Sequence, residues 1–347
     1  MQKFAFLIHP RDTSDIARRF WFTKFLPPLL VDSAISKLSG RLGFSICSRF
    51  NVSKGVSSAY GYIIGIALNG KQMMNLPQSL VRKRIIQTVL YAQNKLKVNV
   101  VGLGALTTSV TDGGSWVAQY PDVKIAVTHG DTFTVIIAQQ GIEKILKKYN
   151  FDIVRNRIAI VGAYGIIGRE ICIFLAKKGY KLILVESVPE KVDLIKKRII
   201  NEGLERSIII TSTAISSISS ADLVIAATSH PLYLLRSEYL KKGVIVYDIA
   251  QPINCSPDVI KIRPDIVRID GGYVDIGGID LKFPMGPSYG STFACFAETM
   301  MMAFENDNRN HVGHINKDFM NEVKMWGGKY HFFHAPFNSS GLSVDLK

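Results

Sequence analysis

A cysteine near the start of a predicted helix is a candidate for covalent chemistry. Cys295 lies in the segment GSTFACFAETMMMAFE, whose apolar residues recur every three or four positions after Ser291 or Thr292, either of which can cap the helix. We expect the helix dipole and the free backbone N–H groups there to lower the pKa of Cys295. A thiolate is the nucleophile that thioester or aldehyde chemistry requires. The alternative is a structural role, since free cysteines are usually small core residues and Glu298 would oppose a thiolate unless it faces elsewhere or accepts a proton.

A second chemical signal is a glycine turn in the middle of the chain. Arg157–Val161 is a β-rich apolar run, glycines follow it at G-x-x-G-x-x-G spacing, and a helical pattern leads to a further strand. Glycines let the backbone turn tightly and approach a pyrophosphate, which rests on the N-terminal end of the helix. This context predicts a dinucleotide-binding unit. Its candidate cofactor-binding residues are Gly162, Gly165, Ile166, Ile167 and Gly168.

Three more cofactor-binding candidates follow later strands of the same unit. Glu186 comes directly after Lys181–Val185, where an acid can bind the ribose hydroxyls and so favours NADH over NADPH. Thr228 and Ser229 lie in a loop after the apolar run 221–228, at the strand end where such sheets place ligands. Alternatively, Glu186 is an exposed acid that caps the following helix.

Two loops rich in small polar residues are predicted to contact a substrate. They are GLGALTTSVTDGG at 102–114 and THGDTFT at 128–134, and both follow predicted strands. Ordinary turn chemistry, with threonine and aspartate capping helices, explains the same residues. The substrate-binding candidates are Thr107, Thr108, Gly130, Asp131 and Thr132.

The alternation of apolar strands with helical patterns predicts an α/β fold with two domains. We expect a Rossmann doubly wound parallel sheet over 151–290, preceded by an N-terminal α/β substrate domain over 1–150. A C-terminal helical segment over 291–347 is expected to return to the cleft between them and present Cys295. The predicted strands are 3–10, 60–68, 98–107, 123–130, Arg157–Val161, Lys181–Val185, Ser207–Thr211, 221–228, 243–250 and 265–272, and a helix is predicted at about 132–148.

Composition excludes several classes of protein. The 347 residues are 47% hydrophobic and 20% charged, which is typical of a globular chain with a sizeable core. The four cysteines are far apart and form no CxxC pair, which argues against a zinc ribbon or a disulfide framework and favours reduced thiols. The apolar runs are too short for a signal peptide or a membrane span, so we expect a cytoplasmic protein. Two histidine pairs, 311/314 and 331/334, lack further ligands, and no metal is predicted.

The chain is basic, with 42 lysine and arginine residues against 28 aspartate and glutamate residues and a net charge of +14. The charges form short dispersed clusters without a basic tail or a nucleic-acid motif, so no nucleic-acid partner is predicted. A basic surface also suits an acidic protein or an anionic membrane. The aromatic segment 20–31 leaves a peripheral membrane or acyl-chain contact open, beside a packed helix and turn.

Four segments carry a resemblance to a known family. GLGALTTSV, THGDTFTV, IAIVGAYGIIGREIC and TFACFAETMMMAFE resemble, in order and spacing, the long-chain acyl-(acyl-carrier-protein) reductases and related bacterial predicted dehydrogenases, over about residues 60–335. The resemblance implies that Cys295 attacks an acyl thioester, and that hydride from NADH or NADPH then releases an aldehyde. It also implies that the glycines of the turn hold the cofactor phosphates. The implied partner is an acidic acyl carrier protein, which a basic surface would attract, or an acyl-CoA.

The chain departs from that family at two places. Ser187, next to Glu186, stands where the reductases carry an arginine suited to NADPH, which favours NADH here. The family loop GNTHT reads GDTFT, with Asp131 for asparagine and Phe133 for histidine. One alternative is an NAD(P)-dependent dehydrogenase of a small amino or hydroxy acid, with Cys295 structural. Another is a Rossmann-type binding protein without turnover. The sequence leaves the acyl chain and the oligomeric state open.

Overall fold

The computed structural model describes most of the chain, with gaps near the N-terminus and around residue 205. The described ranges are 1–10, 15, 25–27, 30–31, 43–202, 204 and 209–345. The aromatic segment 20–31, which the sequence offers as a membrane or acyl-chain contact, lies mostly outside them. Within these ranges no helix combines the length and the apolar character needed to cross a membrane.

Strands and helices alternate along the described chain, as the hydrophobic pattern predicts. The strands are β1 (Gln2–Ile8), β2 (Phe44–Lys54), β3 (Ser57–Ile66), β4 (Val100–Leu103), β5 (Ala126–Thr128), β6 (Arg157–Val161), β7 (Lys181–Val185), β8 (Ile209–Ser212), β9 (Leu223–Ala226), β10 (Ile245–Asp248), β11 (Val267–Asp270), β12 (Tyr273–Asp275), β13 (Ser291–Phe293), β14 (Phe333–His334), β15 (Asn338–Ser339) and β16 (Leu342–Ser343). The helices are α1 (Gly70–Asn75), α2 (Gln78–Tyr91), α3 (Leu106–Ser109), α4 (Ser115–Ala118), α5 (Asp131–Lys148), α6 (Ile166–Lys177), α7 (Pro189–Asn201), α8 (Val259–Ile262), α9 (Ala294–Glu305) and α10 (Lys317–Tyr330). A short π-helix covers Ala92–Leu96, and short 3₁₀-helices cover Ile215–Ser220 and Ser237–Tyr239.

The chain forms two compact units, each built from two segments. The first unit contains Met1–Phe133 and Ile276–Phe332, and the second contains Thr134–Asp275 and Phe333–Lys347. The predicted α/β fold with two domains and a Rossmann sheet is confirmed. The bounds differ from the consecutive segments 1–150, 151–290 and 291–347 expected from the sequence. Hydrophobic periodicity locates an element but does not show which sheet a distant helix will cover, and here α9 covers the sheet of the first unit.

In the first unit, described strands form a sheet in the order β2-β3-β1-β4-β5. Strands β3, β1, β4 and β5 run parallel, and β2 is antiparallel to β3. Helix α9 packs on this sheet, where the ring of Phe296 lies 5.1 Å from that of Phe6, between centroids. A Cβ at Gly102 in β4 would lie 2.0 Å from Oγ1 of Thr299 in α9. This close approach fixes the depth at which α9 lies on the sheet, and therefore the position of Cys295.

In the second unit, described strands form a sheet in the order β16-β15-β11-β10-β9-β6-β7-β8. Strands β6 to β11 are parallel, in the arrangement of dinucleotide-binding folds, and the strand order reverses between β6 and β9. Alternate residues of β6 enter apolar clusters on opposite faces, which is why the strand reads as a continuous apolar run. The strand predicted at Ser207–Thr211 is β8, and residues 205–208 lie outside the described ranges.

Candidate active site and nucleotide-binding turn

Two of the three glycines in the turn after β6 have a steric reason to be glycine. Gly162 has φ +81°, and a Cβ there would lie 2.7 Å from the carbonyl oxygen of Ala227. A Cβ at Gly168 would lie 2.1 Å from the carbonyl oxygen of Gly162, so glycine lets α6 pack against the turn. Gly165 precedes α6 and is exposed. The turn therefore brings a helix N-terminus to the end of the central strand, which fits a dinucleotide pyrophosphate.

The remaining cofactor-binding candidates lie at the carboxyl ends of β6, β7 and β9. Ile166 and Ile167 open α6 and are partly exposed. Glu186 is half-buried, and its Oε1 accepts hydrogen bonds from the backbone N and the hydroxyl of Ser187, at 3.0 and 3.3 Å. This holds a carboxylate next to the end of β7. Since β6, β7 and β9 are neighbours in the sheet, these candidates share one edge of it.

Thr228 joins two loops at this edge. Its Cγ2 lies 2.8 Å from where a Cβ of Gly162 would be, and its hydroxyl donates to Oδ1 of Asn254 at 2.6 Å. Ser229, the next residue, is exposed. Asn254 was not singled out from the sequence, although its backbone N donates to the buried Asp248 at the end of β10, at 2.7 Å. The signal in the sequence that could have pointed to Asn254 is Asp248, an aspartate at the end of an otherwise apolar strand.

Cys295 is the second residue of α9 and is partly exposed. The predicted cap is wrong, because Ser291 and Thr292 lie in β13 and Phe293 stands at the cap position without a side-chain hydrogen bond. The Ser291 hydroxyl donates instead to the carbonyl oxygen of Ser288, at 2.8 Å. An extended segment thus leads directly into the helix, and the backbone N–H groups of Cys295 and Phe296 lie within hydrogen-bonding reach of the thiol.

The loop after β5 lies against Cys295. Gly130 has φ +72°, and a Cβ there would lie 2.3 Å from Cβ and 2.5 Å from Cα of Cys295. Asp131, the first residue of α5, has a side chain that is 15% exposed. Thr132 is buried, and its hydroxyl has no hydrogen-bond partner among the described residues. Gly130 and Asp131 are therefore brought to the cysteine, and the backbone N of Thr132 is hydrogen-bonded to Glu298.

Glu298 connects this loop to α9. It is fully buried, its Oε1 accepts a hydrogen bond from the Thr128 hydroxyl, and its Oε2 accepts one from the backbone N of Phe133 at 2.7 Å. Backbone hydrogen bonds from Gly130 and Thr132 add to these. A carboxylate from one helix thus caps the N-terminus of another, where the dipole favours negative charge. The sequence suggested Glu298 as a charge that opposes a thiolate or as a proton acceptor, but it gave no sign of this capping role.

The electrostatics at Cys295 contradict the lowered pKa expected from the helix dipole. Burial raises the pKa of the Cys295 thiol well above its ordinary value, and the charges of Asp131 and Glu298 raise it further. Backbone hydrogen bonds from Cys295 and Phe296 act in the opposite direction but are outweighed. Burial and Glu298 raise the pKa of Asp131 to about 8, and burial raises that of Glu298 to about 7 against its hydrogen bonds. The resting cysteine is therefore a thiol.

The hydroxyls of Thr107 and Thr108 make local turn contacts, as expected for ordinary turn chemistry rather than for substrate binding. Both are buried in α3, and their hydroxyls donate to the carbonyl oxygens of Gly104 and Leu103, at 2.7 and 2.9 Å. Of the paired histidines, His311 is hydrogen-bonded through Nε2 to Asp307 at 2.9 Å. Within the described ranges, no group of three or more histidine, cysteine, aspartate or glutamate side chains is arranged to hold a metal ion.

The second unit resembles a known family of dehydrogenases. Residues 143–270 match the family model described as shikimate / quinate 5-dehydrogenase. Together with the strand order and the glycine turn, this match defines an NAD(P)-binding Rossmann domain of the oxidoreductase type.

Longer similarities extend beyond that domain. The chain is 26% identical over 254 residues to the aminotransferase PigE of Serratia sp., which covers 71% of this chain and 29% of that protein. This chain thus spans less than a third of that relative's length. It is also 26% identical over 278 residues to the long-chain acyl-[acyl-carrier-protein] reductase of Synechococcus elongatus, covering 74% of this chain and 77% of the reductase.

Solved structures similar to this chain include an NAD-dependent malic enzyme and a quinate dehydrogenase. The NAD-dependent malic enzyme of Thermotoga maritima superposes with a TM-score of 0.42 at 12% identity, over 93% of this chain and 75% of that one. The quinate dehydrogenase of Corynebacterium glutamicum, in complex with NAD, has a TM-score of 0.35 at 15% identity, over 73% and 86% of the two chains.

Proposed function

We propose that this protein reduces an acyl thioester to an aldehyde, through an acyl group held covalently on Cys295. The observation that carries the proposal is the setting of that cysteine: it lies at a helix N-terminus, against Gly130, with two carboxylates whose pKa values are raised. The similarity to a reductase of acyl thioesters, over most of both chains, supports the same chemistry. The match of 143–270 to a dehydrogenase family supports the use of a nicotinamide cofactor.

The proposed reaction has two stages at Cys295. The Cys295 thiol loses its proton as the Sγ–carbon bond forms and the bond from that carbon to the carrier sulfur breaks. The new thioester keeps the carbonyl activated, and the cofactor, when bound, would supply a hydride to its carbon. The carbon–Sγ bond then breaks, which releases the aldehyde, and Sγ takes up a proton to restore the Cys295 thiol. Backbone N–H groups at the start of α9, including that of Phe296, are donors suited to the oxyanion that develops.

The basic surface gives the proposed carrier a physical rationale. A net charge of +14 would attract an acidic acyl carrier protein and speed its encounter with the chain. Acyl-CoA is the other carrier that this chemistry allows. We propose the acyl carrier protein as the partner and a nicotinamide dinucleotide as the cofactor.

The proposed cofactor is NADH, because Glu186 follows β7 at the position where an acid in a Rossmann domain binds the ribose hydroxyls and would repel the additional phosphate of NADPH. We expect Glu186→Gln to lower the ratio of NADH affinity to NADPH affinity about tenfold, or ~1.4 kcal/mol. Cofactor titration followed by nicotinamide fluorescence measures both affinities. The control is Glu190→Gln, an exposed acid in the first turn of α7. An unchanged ratio in Glu186→Gln would remove this carboxylate from cofactor recognition.

The proposed function is tested by intact-protein mass spectrometry with a long-chain acyl thioester and no cofactor. We expect a mass gain of one acyl group in the wild type, discharged as aldehyde on addition of NADH. Cys295→Ala should take up no acyl group, because the attacking sulfur is gone. Cys47→Ala, which removes another partly exposed cysteine, should acylate like the wild type.

A second candidate function is favoured by the dehydrogenase family match over 143–270. In this alternative the chain oxidises or reduces a small amino or hydroxy acid, and Cys295 is structural. Hydride transfer would then survive Cys295→Ala, and no acyl adduct would form at any chain length. That pair of results would replace the first proposal with the second.

A further inference from the structure

Two carboxylates from different elements converge with Cys295. Asp131 follows Gly130, whose backbone contacts the cysteine, and Glu298 lies one helical turn after Cys295 in α9. Glu298 also binds the first turn of α5, the helix that begins with Asp131. The charges of both carboxylates act on the Cys295 thiol. The three groups therefore form one cluster within the first unit.

The hydrogen bonds give the two carboxylates different roles. Both oxygens of Glu298 accept hydrogen bonds, from the Thr128 hydroxyl and from the backbone N of Phe133, and the side chain is fully buried. Both oxygens of Glu298 are thus occupied by donors, and its burial closes the carboxylate to solvent and to a leaving group. Asp131 is 15% exposed, so it is the carboxylate of the pair that can pass a proton to solvent or to a leaving group.

The neighbouring histidine does not perform this role. Nδ1 of His129 lies 4.0 Å from Oδ2 of Asp131 and 2.9 Å from the backbone N of the same residue. Because that N–H is a donor, Nδ1 is an acceptor and carries no proton. Burial, together with His311 and His314, lowers the pKa of His129 to about 3, so its ring stays neutral. His129 therefore orients the start of α5.

We infer that Asp131 is the base that accepts the proton of Cys295 when the thiol attacks, and that Glu298 positions it and adjusts its ionisation. The inference rests on the proposed function for its substrate and adds the proton acceptor. As the Sγ–carbon bond forms, the thiol proton moves to the Asp131 carboxylate. When the bond from the carbon to the carrier sulfur breaks, that proton moves to the leaving thiolate, and no electrons are gained or lost.

The reactive form of the cluster has an ionised Asp131 and a Cys295 thiol. Since Asp131 has a pKa of about 8, we expect reaction at Cys295 to rise with pH through that value. Among the described residues, Glu298 from α9 acts on Asp131 directly, and His129 from the loop after β5 lies beside Asp131 and is in turn influenced by His311 and His314 from the segment after α9.

The test variant is Asp131→Asn, a nearly isosteric change that removes the base. Alkylation of Cys295 by iodoacetamide, followed by peptide mass spectrometry between pH 6 and 10, needs no acyl substrate. In the wild type the rate should rise through about pH 8, and in Asp131→Asn this rise should be absent, with a rate on the order of 10²-fold lower above pH 8. Asp112→Asn, at an exposed position, should behave like the wild type, and Cys47 provides an internal reference.

Two outcomes of the alkylation experiment would overturn the inference. If Asp131 only repelled a thiolate, Asp131→Asn would move the rise to lower pH and speed the reaction. An unchanged profile would show that Asp131 does not act on the cysteine at all. The proposed function can fail separately. If the wild type forms no acyl adduct, but its rise in alkylation near pH 8 is absent in Asp131→Asn, Asp131 is supported as the proton acceptor and the acyl thioester is contradicted as the substrate.

The pH dependence of stability gives a readout that is independent of reactivity. The pKa of Asp131 in the folded chain, about 8, lies above its ordinary value of 3.8, so between these values the folded chain holds more protons than the unfolded one. The contribution of Asp131 to the free energy of unfolding should therefore fall as pH rises through this window, while the lowered pKa of His129 acts in the opposite direction below pH 6.5. The difference in free energy of unfolding between the wild type and Asp131→Asn isolates the Asp131 contribution and should shift against the wild type as pH rises, and parallel curves for the two proteins would contradict the raised pKa.

Discussion

Replacing Gly130 by alanine should destabilise the first unit by roughly 2–5 kcal/mol and sharply reduce the reactivity of Cys295. A residue with a Cβ would be strained at φ +72°, and the Cβ would meet Cβ, Cα and the carbonyl oxygen of Cys295 at 2.3, 2.5 and 2.8 Å. Two of these are backbone atoms, so no side-chain rotation relieves the contact. Nor can α9 retreat freely, because Thr299 already lies against Gly102 of β4.

The same substitution at Gly55 separates backbone strain from the contact with Cys295. Gly55 has φ +57°, and nothing lies within 4 Å of the position of its Cβ. Gly55→Ala should therefore cost only the strain, about 1–2 kcal/mol. Denaturant unfolding measures both variants, and iodoacetamide labelling reports Cys295. If Gly130→Ala costs no more than Gly55→Ala and labels normally, the loop after β5 does not position the cysteine.

The Rossmann sheet was predictable because its signals are local. Each strand of a parallel sheet is buried on both faces, so β6 and β7 read as apolar runs. Gly162 and Gly168 are close in sequence as well as in space, and the turn they form can be read from their spacing. Strand β2 was missed, although Ser48, Phe50 and Val52 are buried and alternate with exposed residues. That pattern covers only a few positions and includes a buried serine.

The candidate site was predictable in its residues but not in their contacts. Cys295 and Gly130 were each named from their own segments, yet their contact joins positions far apart in the chain. The direction of the Cys295 pKa was wrong because the sequence shows a helix start but not the burial and the two carboxylates that outweigh it. The capping role of Glu298 depends on the same tertiary contact.

Replacing Glu298 by glutamine should therefore affect both stability and reactivity. The carboxamide presents N–H groups where the carboxylate accepts, so a buried donor, the Thr128 hydroxyl or the Phe133 backbone N, loses its acceptor. This should cost about 1–3 kcal/mol of stability. The control is Glu322→Gln, whose carboxylate is 33% exposed and pairs with Arg309, and it should cost at most about 1 kcal/mol.

The pH profile of Glu298→Gln distinguishes positioning from electrostatic adjustment. The negative charge of Glu298 helps to keep Asp131 protonated, so its removal should lower the pKa of Asp131 and move the rise in Cys295 alkylation below pH 8. A stability loss with the rise still at pH 8 would mean that Glu298 only caps α5. Unchanged stability would contradict the cap itself. If both changes occur, Glu298 orders the helix that carries Asp131 and also sets the pH at which that residue accepts a proton.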